Sequence, residues 1–239
     1  MAGHATLSRG PFFVLRSRVV NDDPPEMNSI FDINCRRCPR LAAFLETVQS
    51  AEPDYFCRPV PPFGDPQARL LIVGLAPGMH GANRTGRPFT GDHAGILLYA
   101  TLHKFGLASA AVSTAADDGL QLLDARITNS VKCLPPGNKP LPLEIKVCND
   151  FLRAELEESH PVRAILALGA IAHAAVLRAL GLPAAGFRFA HAAEHALPGA
   201  RVLVDSYHCS RYNTNTRRLT TPMFEAVVGR ARELAFADA

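Results

Sequence analysis

The chain has 239 residues, a formal net charge of +3 and 48% apolar residues. That length holds one large domain or two small ones around a sizeable core. The mild charge permits an acidic partner without demanding nucleic acid, and no apolar run approaches a membrane span. Phe12-Phe13-Val14-Leu15 is too short for a secretion signal and is followed by Arg16 and Arg18, so a cytoplasmic location is expected.

Residues 1–30, with the breaker Pro24-Pro25, read as an extended arm, and residues 31–239 as one domain. Cys35 to Cys38 reads as a tight turn, and Pro39 suits the first position of a helix. Leu41, Phe44, Leu45 and Val48 then recur at helical spacing. Residues 51–69 are Pro-rich and loop-like. The run Leu70-Leu71-Ile72-Val73 predicts a strand, followed by a long loop to Asp92. A helix is expected from His93 to Lys104, with Ile96, Leu97 and Leu102 on its apolar side. Residues 106–123 have no clear period. A strand at 126–128 precedes Asn129, and Pro135 to Pro140 breaks the chain. Pro142 opens a helix to about Ser159. A strand at 164–168 and a helix at 170–180 follow, then a loop over 181–200. The last strand is expected at 202–205, and Thr220 or Thr221 caps a final helix with Pro222 in its first turn. Strands alternating with helices predict a parallel sheet with helices on both faces. Two strand ends lead into polar loops, 74–78 and 207–211. In such sheets ligands bind outside the carboxyl ends of the strands.

Six cysteines stand at 35, 38, 57, 133, 148 and 209. Without a secretion signal, metal or cluster ligation explains them better than disulfides. Cys35 and Cys38 form a two-residue knuckle, while fourteen residues separate Cys133 from Cys148. Structural zinc usually pairs two tight knuckles, and four thiolates from two places also hold iron–sulfur clusters. Spacing leaves the two open. Cys57 and Cys209 have no sequence partners and read as non-ligands.

Residues 74–92 read GLAPGMHGANRTGRPFTGD, with five glycines. Ala76 and Met79 break a dinucleotide fingerprint, and Arg87-Pro88 stands where a P-loop needs Lys-Ser/Thr. Loops this long in compact domains are usually functional or disordered. Phe89, among polar neighbours, reads either as core or as a platform for a planar ligand.

Together, C-x-x-C-P-R-L at 35–41, the glycine loop, T-N-S-V-K-C-L-P-P at 128–136, L-A-L-G at 166–169 and Y-H-C-S-R-Y-N-T-N-T-R-R-L-T at 207–220 resemble the uracil-DNA glycosylase superfamily. The pieces are most similar to its family 5, the iron–sulfur branch. The resemblance implies an α/β fold, a three-layer α/β/α sandwich with a small central parallel sheet. It implies a [4Fe–4S] cluster on Cys35, Cys38, Cys133 and Cys148. It also implies hydrolysis of the N-glycosidic bond of uracil, and of hypoxanthine and xanthine, in double- or single-stranded DNA. Such a protein is expected to act as a monomer associated with the nucleoid.

Carried onto this sequence, His208 becomes the donor to the base O2, and Asn129 lies in the base pocket, where its amide matches the N3–H and O4 edge of uracil. Gly74, Ala76 and Gly78 line the same pocket, and Phe89 matches the stacking aromatic. Relatives in the wider superfamily have polar groups where Leu75 and Ala76 stand. The water-positioning role then falls to Asn83, ahead of Asp92, or to a backbone carbonyl of the loop. Cys209 replaces a common Pro. Ser210, Arg211, Asn213, Thr214 and Arg217 are expected along DNA phosphates or in the minor groove. Lys132, Lys139, Arg84 and Arg87 extend this basic track. The empty polar positions leave a second reading, a non-catalytic binder of lesions or abasic sites. A third, covalent attack by His208 on the abasic sugar, has nothing in the loop that demands it.

Overall fold

A computed structural model describes Met1, Gly3, residues 31–157 and residues 161–237. Apart from Met1 and Gly3, the arm expected at 1–30 lies outside the described residues. The strands are β1 (Phe63–Gly64), β2 (Leu70–Gly74), β3 (Ala125–Asn129), β4 (Ala164–Leu168), β5 (Glu194–Leu197) and β6 (Arg201–Ser206). The helices are α1 (Pro39–Ala51), α2 (Ala82–Thr85), α3 (His93–Lys104), α4 (Pro142–Glu157), α5 (Ala170–Ala179), α6 (Arg211–Asn215) and α7 (Thr221–Phe236). None of them is long and apolar enough to cross a membrane.

The sheet runs β1-β3-β2-β4-β6-β5. Its four central strands are parallel, with Gly74 beside Asn129 and Leu168 beside Ser206 at their carboxyl ends. β2 and β4 are buried along their whole length, as parallel strands covered on both faces should be. Side chains alternate between faces with a period of two. Leu70, Ile72, Ile127, Leu166 and Val204 pack with Leu98 and Leu102 of α3 and Phe224 and Val228 of α7. Leu71, Val73, Ile165, Ala167 and Leu203 pack with Leu152 of α4 and Val176 of α5. Each such buried side chain stabilises the fold by about 1.5–3 kcal/mol. A third apolar group joins Leu41, Leu45 and Val48 of α1 to Val131, Leu134 and Phe151.

The structure corrects several expectations. The sheet is not purely parallel, because β1 and β5 add antiparallel edges inside segments read as loops. Ile96 faces solvent, and the packed side of α3 is Ala94, Gly95, Leu98, Tyr99 and Leu102. α4 is described to Glu157, and Ser159 lies outside the described residues. The cap expected at Thr220 is present, accepting from Met223 N at 3.4 Å, and Asp92 caps α3, accepting from Gly95 N at 2.8 Å. Buried Asp205 of β6 meets His173 Nδ1 of α5 at 2.8 Å and His195 Nε2 of β5 at 3.1 Å, tying three elements at one edge.

From β2 the chain builds outward to β3, then crosses back to β4 and β6. The order therefore switches between β2 and β4. A crevice opens outside the carboxyl ends of the strands at such a switch.

Candidate functional site

A cavity of about 480 Å³ occupies that crevice, within the usual range for small-molecule sites. All four parallel strands deliver residues to it: Leu75 and Ala76 after β2, Asn129 from β3, Leu168 and Gly169 from β4, and His208 after β6. The glycine loop adds Gly78, Phe89 and Asp92, and Ser210 and Arg211 stand at the start of α6.

Phe89 is 6% exposed, and its ring stacks on His208 with centroids 5.8 Å apart and planes 29° apart. Its backbone sits at φ 56°, in the left-handed region that bulky residues avoid. Glycine at 74 makes this packing possible. A Cβ there would lie 2.4 Å from Asn129 Oδ1 and 2.7 Å from the Phe89 ring. Gly74→Ala is therefore expected to cost about 1–3 kcal/mol, the usual overpacking penalty, read as a lower denaturation midpoint. An unchanged midpoint would mean that the two side chains need not be so close.

Two buried polar atoms in this mostly apolar wall lack a partner among the described residues, Asn129 Oδ1 and His208 Nδ1. Unpaired buried polar atoms are costly. Asn83 Oδ1, Asn149 Oδ1 and Glu155 Oε2 also lack a hydrogen-bond partner among the described residues, and what sets these two apart is that both residues line one cavity. Burial pushes the His208 imidazole down to about 4, leaving it neutral at ordinary pH with one N–H to donate. Its backbone is held by the Asn213 side-chain amide, which donates to His208 O at 2.8 Å. Burial raises the Asp92 carboxyl, against the opposing pull of the Gly95 and Ala94 N–H groups.

The other expected site residues divide. Asn83 is fully buried and does not reach the cavity wall; its Nδ2 donates to Cys57 Sγ at 3.4 Å. Asp92 does reach the wall. Ser210 caps α6, Arg211 lines the mouth, and Thr214 meets His93 at 3.0 Å. Asn213 and Thr214 thus have partners within the protein. Arg217 is exposed at φ 57°. Lys132 and Arg87 do not extend a basic track. Lys132 is 1% exposed, bonded to Thr128 and 3.6 Å from Glu155. Arg87 is 5% exposed and pairs with Asp118 at 2.5 Å. Their acidic partners are distant in sequence, which hid the burial. Sequence reasoning also passed over Ile171, which lines the mouth, and Tyr212, which stands exposed beside Arg211. The L-A-L-G strand end was the available signal for the former.

Cys35, Cys38, Cys133 and Cys148 line a second, small space together with Lys132 and Phe151. Burial, then the charge of neighbouring cysteines, pushes Cys38 up to about 11 and raises Cys133 as well. Four cysteine sulfurs around one space are a donor set that fits a metal or cluster centre. Cys148 Sγ also accepts from Lys132 N at 3.3 Å. Cys57 and Cys209 do not line this space; Cys209 is fully buried near the main cavity.

Residues 61–232 match the model of the family described as the uracil DNA glycosylase superfamily. The type-5 uracil-DNA glycosylase of Thermus thermophilus is 49% identical over 207 residues, covering 84% of this chain and 94% of that protein. That of Mycobacterium leprae is 46% identical over 219 residues, covering 88% and 95%. A type-4 enzyme of Archaeoglobus fulgidus is more distant, at 34% over 152 residues, covering 61% and 62%. The chain belongs to the uracil DNA glycosylase superfamily.

Proposed function

We propose that this chain is a uracil-DNA glycosylase, hydrolysing the bond between the base and its sugar and leaving an abasic site. The observation that carries the reading is that Asn129 and His208, each with an unpartnered polar side-chain atom, line one cavity together with Phe89. A base inside a duplex is out of reach, so it must turn out into such a space. Phe89 offers a face for it. Asn129 accepts N3–H and donates to O4. His208, neutral, donates to O2 as negative charge grows there. Asp92, and not Asn83, orients the attacking water, since only Asp92 lies in the wall; its charge also favours the developing sugar cation. Xanthine repeats the carbonyl, N–H, carbonyl edge of uracil, and hypoxanthine repeats its N–H and one carbonyl. Leu75 and Ala76 add no polar group to reject them, so these bases are further substrates.

The four cysteines hold a [4Fe–4S] cluster. When bound, it cross-links the 35–38 knuckle, the segment after β3 and α4. Cys133 lies four residues beyond Asn129, so ligation at Cys133 fixes the segment that carries the base reader. Arg211, Arg217 and Tyr212 meet DNA around the mouth, and one copy of the chain completes the site.

The test is a panel of duplexes bearing uracil, hypoxanthine, xanthine or thymine, treated with protein and then alkali. Strand cleavage at uracil is expected. Tight binding with uncut strands would favour the non-catalytic binder that Leu75 and Ala76 suggest. Asp92→Asn is expected to slow excision by about a hundredfold. In the wild type, activity falls as pH drops through the Asp92 value, because the protonated acid no longer attracts water protons. Since burial raises that value above the ordinary 3.8, the acid limb lies above 3.8 and disappears in the variant. The same limb in Asp92→Asn would assign it elsewhere.

A further inference from the structure

We propose that Tyr99 is a positioning residue for excision: its hydroxyl fixes the backbone that aims the Phe89 ring at the extruded base. The inference rests on the reading that Phe89 stacks that base.

Phe89 is held at a backbone angle it would not choose, so something around it must impose the angle. The fasteners lie on both sides of the residue. Tyr99 Oη, buried within α3, donates to Pro88 O at 2.8 Å. Thr90 Oγ1 meets Ser113 Oγ at 2.8 Å and Tyr99 Oη at 3.5 Å. Arg87 reaches Asp118, Ser113 Oγ and the carbonyl of Ala116. Gly95 seats the remaining group, since a Cβ there would stand 1.7 Å from Phe89 O. Residues 87, 88 and 90 are thus tied to α3 and to the 113–118 segment, and Phe89 is left only its ring to place. That ring lies against Gly74 and over His208. Burial pushes the Tyr99 phenol up to about 12, so it remains a donor throughout the working range. The network gives Arg87 a role that its sequence position, in a basic loop, did not suggest.

The test is a double-mutant cycle on Tyr99→Phe and Phe89→Leu, with Ser113→Ala as a second variant. Tyr99→Phe keeps the ring and loses one hydrogen bond. Excision of uracil is expected to slow by about tenfold, with affinity for undamaged duplex within about twofold. In the Phe89→Leu background the same change is expected to alter the rate by less than about twofold, because its target is gone. Ser113→Ala should repeat the pattern more weakly. The His208 ring-proton resonances, which sense the Phe89 ring, should shift in Tyr99→Phe. An undiminished rate, an equal loss in the Phe89→Leu background, or unmoved His208 resonances would overturn the proposal. Failure of the wild type to release any base would instead sink the glycosylase reading, and the resonances would still judge the clamp.

Discussion

Replacing His208 with alanine is expected to slow base excision by about a hundred- to a thousandfold, the usual effect of removing one donor aimed at a growing oxyanion. The size follows from where the residue sits. It stands two residues beyond β6, its carbonyl is held by Asn213, and the next residue, Cys209, is fully buried. A donor held this firmly needs no reorganisation when charge appears on the base. Its depressed pKa matters as much as its position. An imidazole that protonates only below about 4 presents a neutral N–H over the working range. It can stabilise the leaving base without surrendering a full proton to it. Duplex affinity should stay close to wild type, since the groups proposed above to meet DNA, Arg211 and Arg217, lie on and after α6. Single-turnover release of uracil, measured beside a binding isotherm, separates the two effects. Unchanged turnover would remove His208 from the reaction, and equal loss of both would make it a binding residue.

What could be read before folding was governed by how local each signal is. Leu70 to Val73 is a continuous apolar run because both faces of the strand are covered, so the run itself announces a central strand. Pro39, Pro142 and Pro222 mark helix starts because a missing N–H costs nothing there. The edge strands carry no such mark. β1 is two residues long, and β5, with Glu194 and His195, leaves one side open to water. Edge strands of this kind have neither an apolar run nor clean alternation. On α3, Ala94 and Gly95 make the close contacts, so the larger Ile96 falls on the outer face and misleads a count of bulky residues. The site was legible where a strand end names its residue, as at Asn129 and His208. It was not legible where the loop decides. The single turn of α2 directs Asn83 inward to Cys57, while Asp92 is carried to the cavity as the cap of α3. Nothing in the order of residues 74–92 distinguishes those two fates.

Cys148→Ser is expected to remove iron, brown colour and most soluble folded protein together. Cys148 lies in α4, is buried, and lines one space with the other three cysteines and Lys132. Without a cation, burial raises its pKa, while the ammonium of Lys132 lowers it. A neutral serine hydroxyl would be a poor ligand in the same place. The magnitude decides the outcome. Structural zinc centres contribute on the order of 10 kcal/mol to folding. A typical domain is stable by only about 5–15 kcal/mol. A centre of comparable strength that joins the 35–38 knuckle, the segment after β3 and α4 is therefore worth most of what holds those pieces together. The core of β2, β4 and β6 has its own apolar packing against α5 and α7, so it should persist longest. Loss should begin with α1, whose contacts run to Val131, Leu134 and Phe151 beside the cysteines. Iron per chain, visible absorption and hydrogen exchange across 35–51 follow this sequence of events. A variant that stays folded and excises uracil without iron would show that apolar packing alone holds the base-reading segment in place.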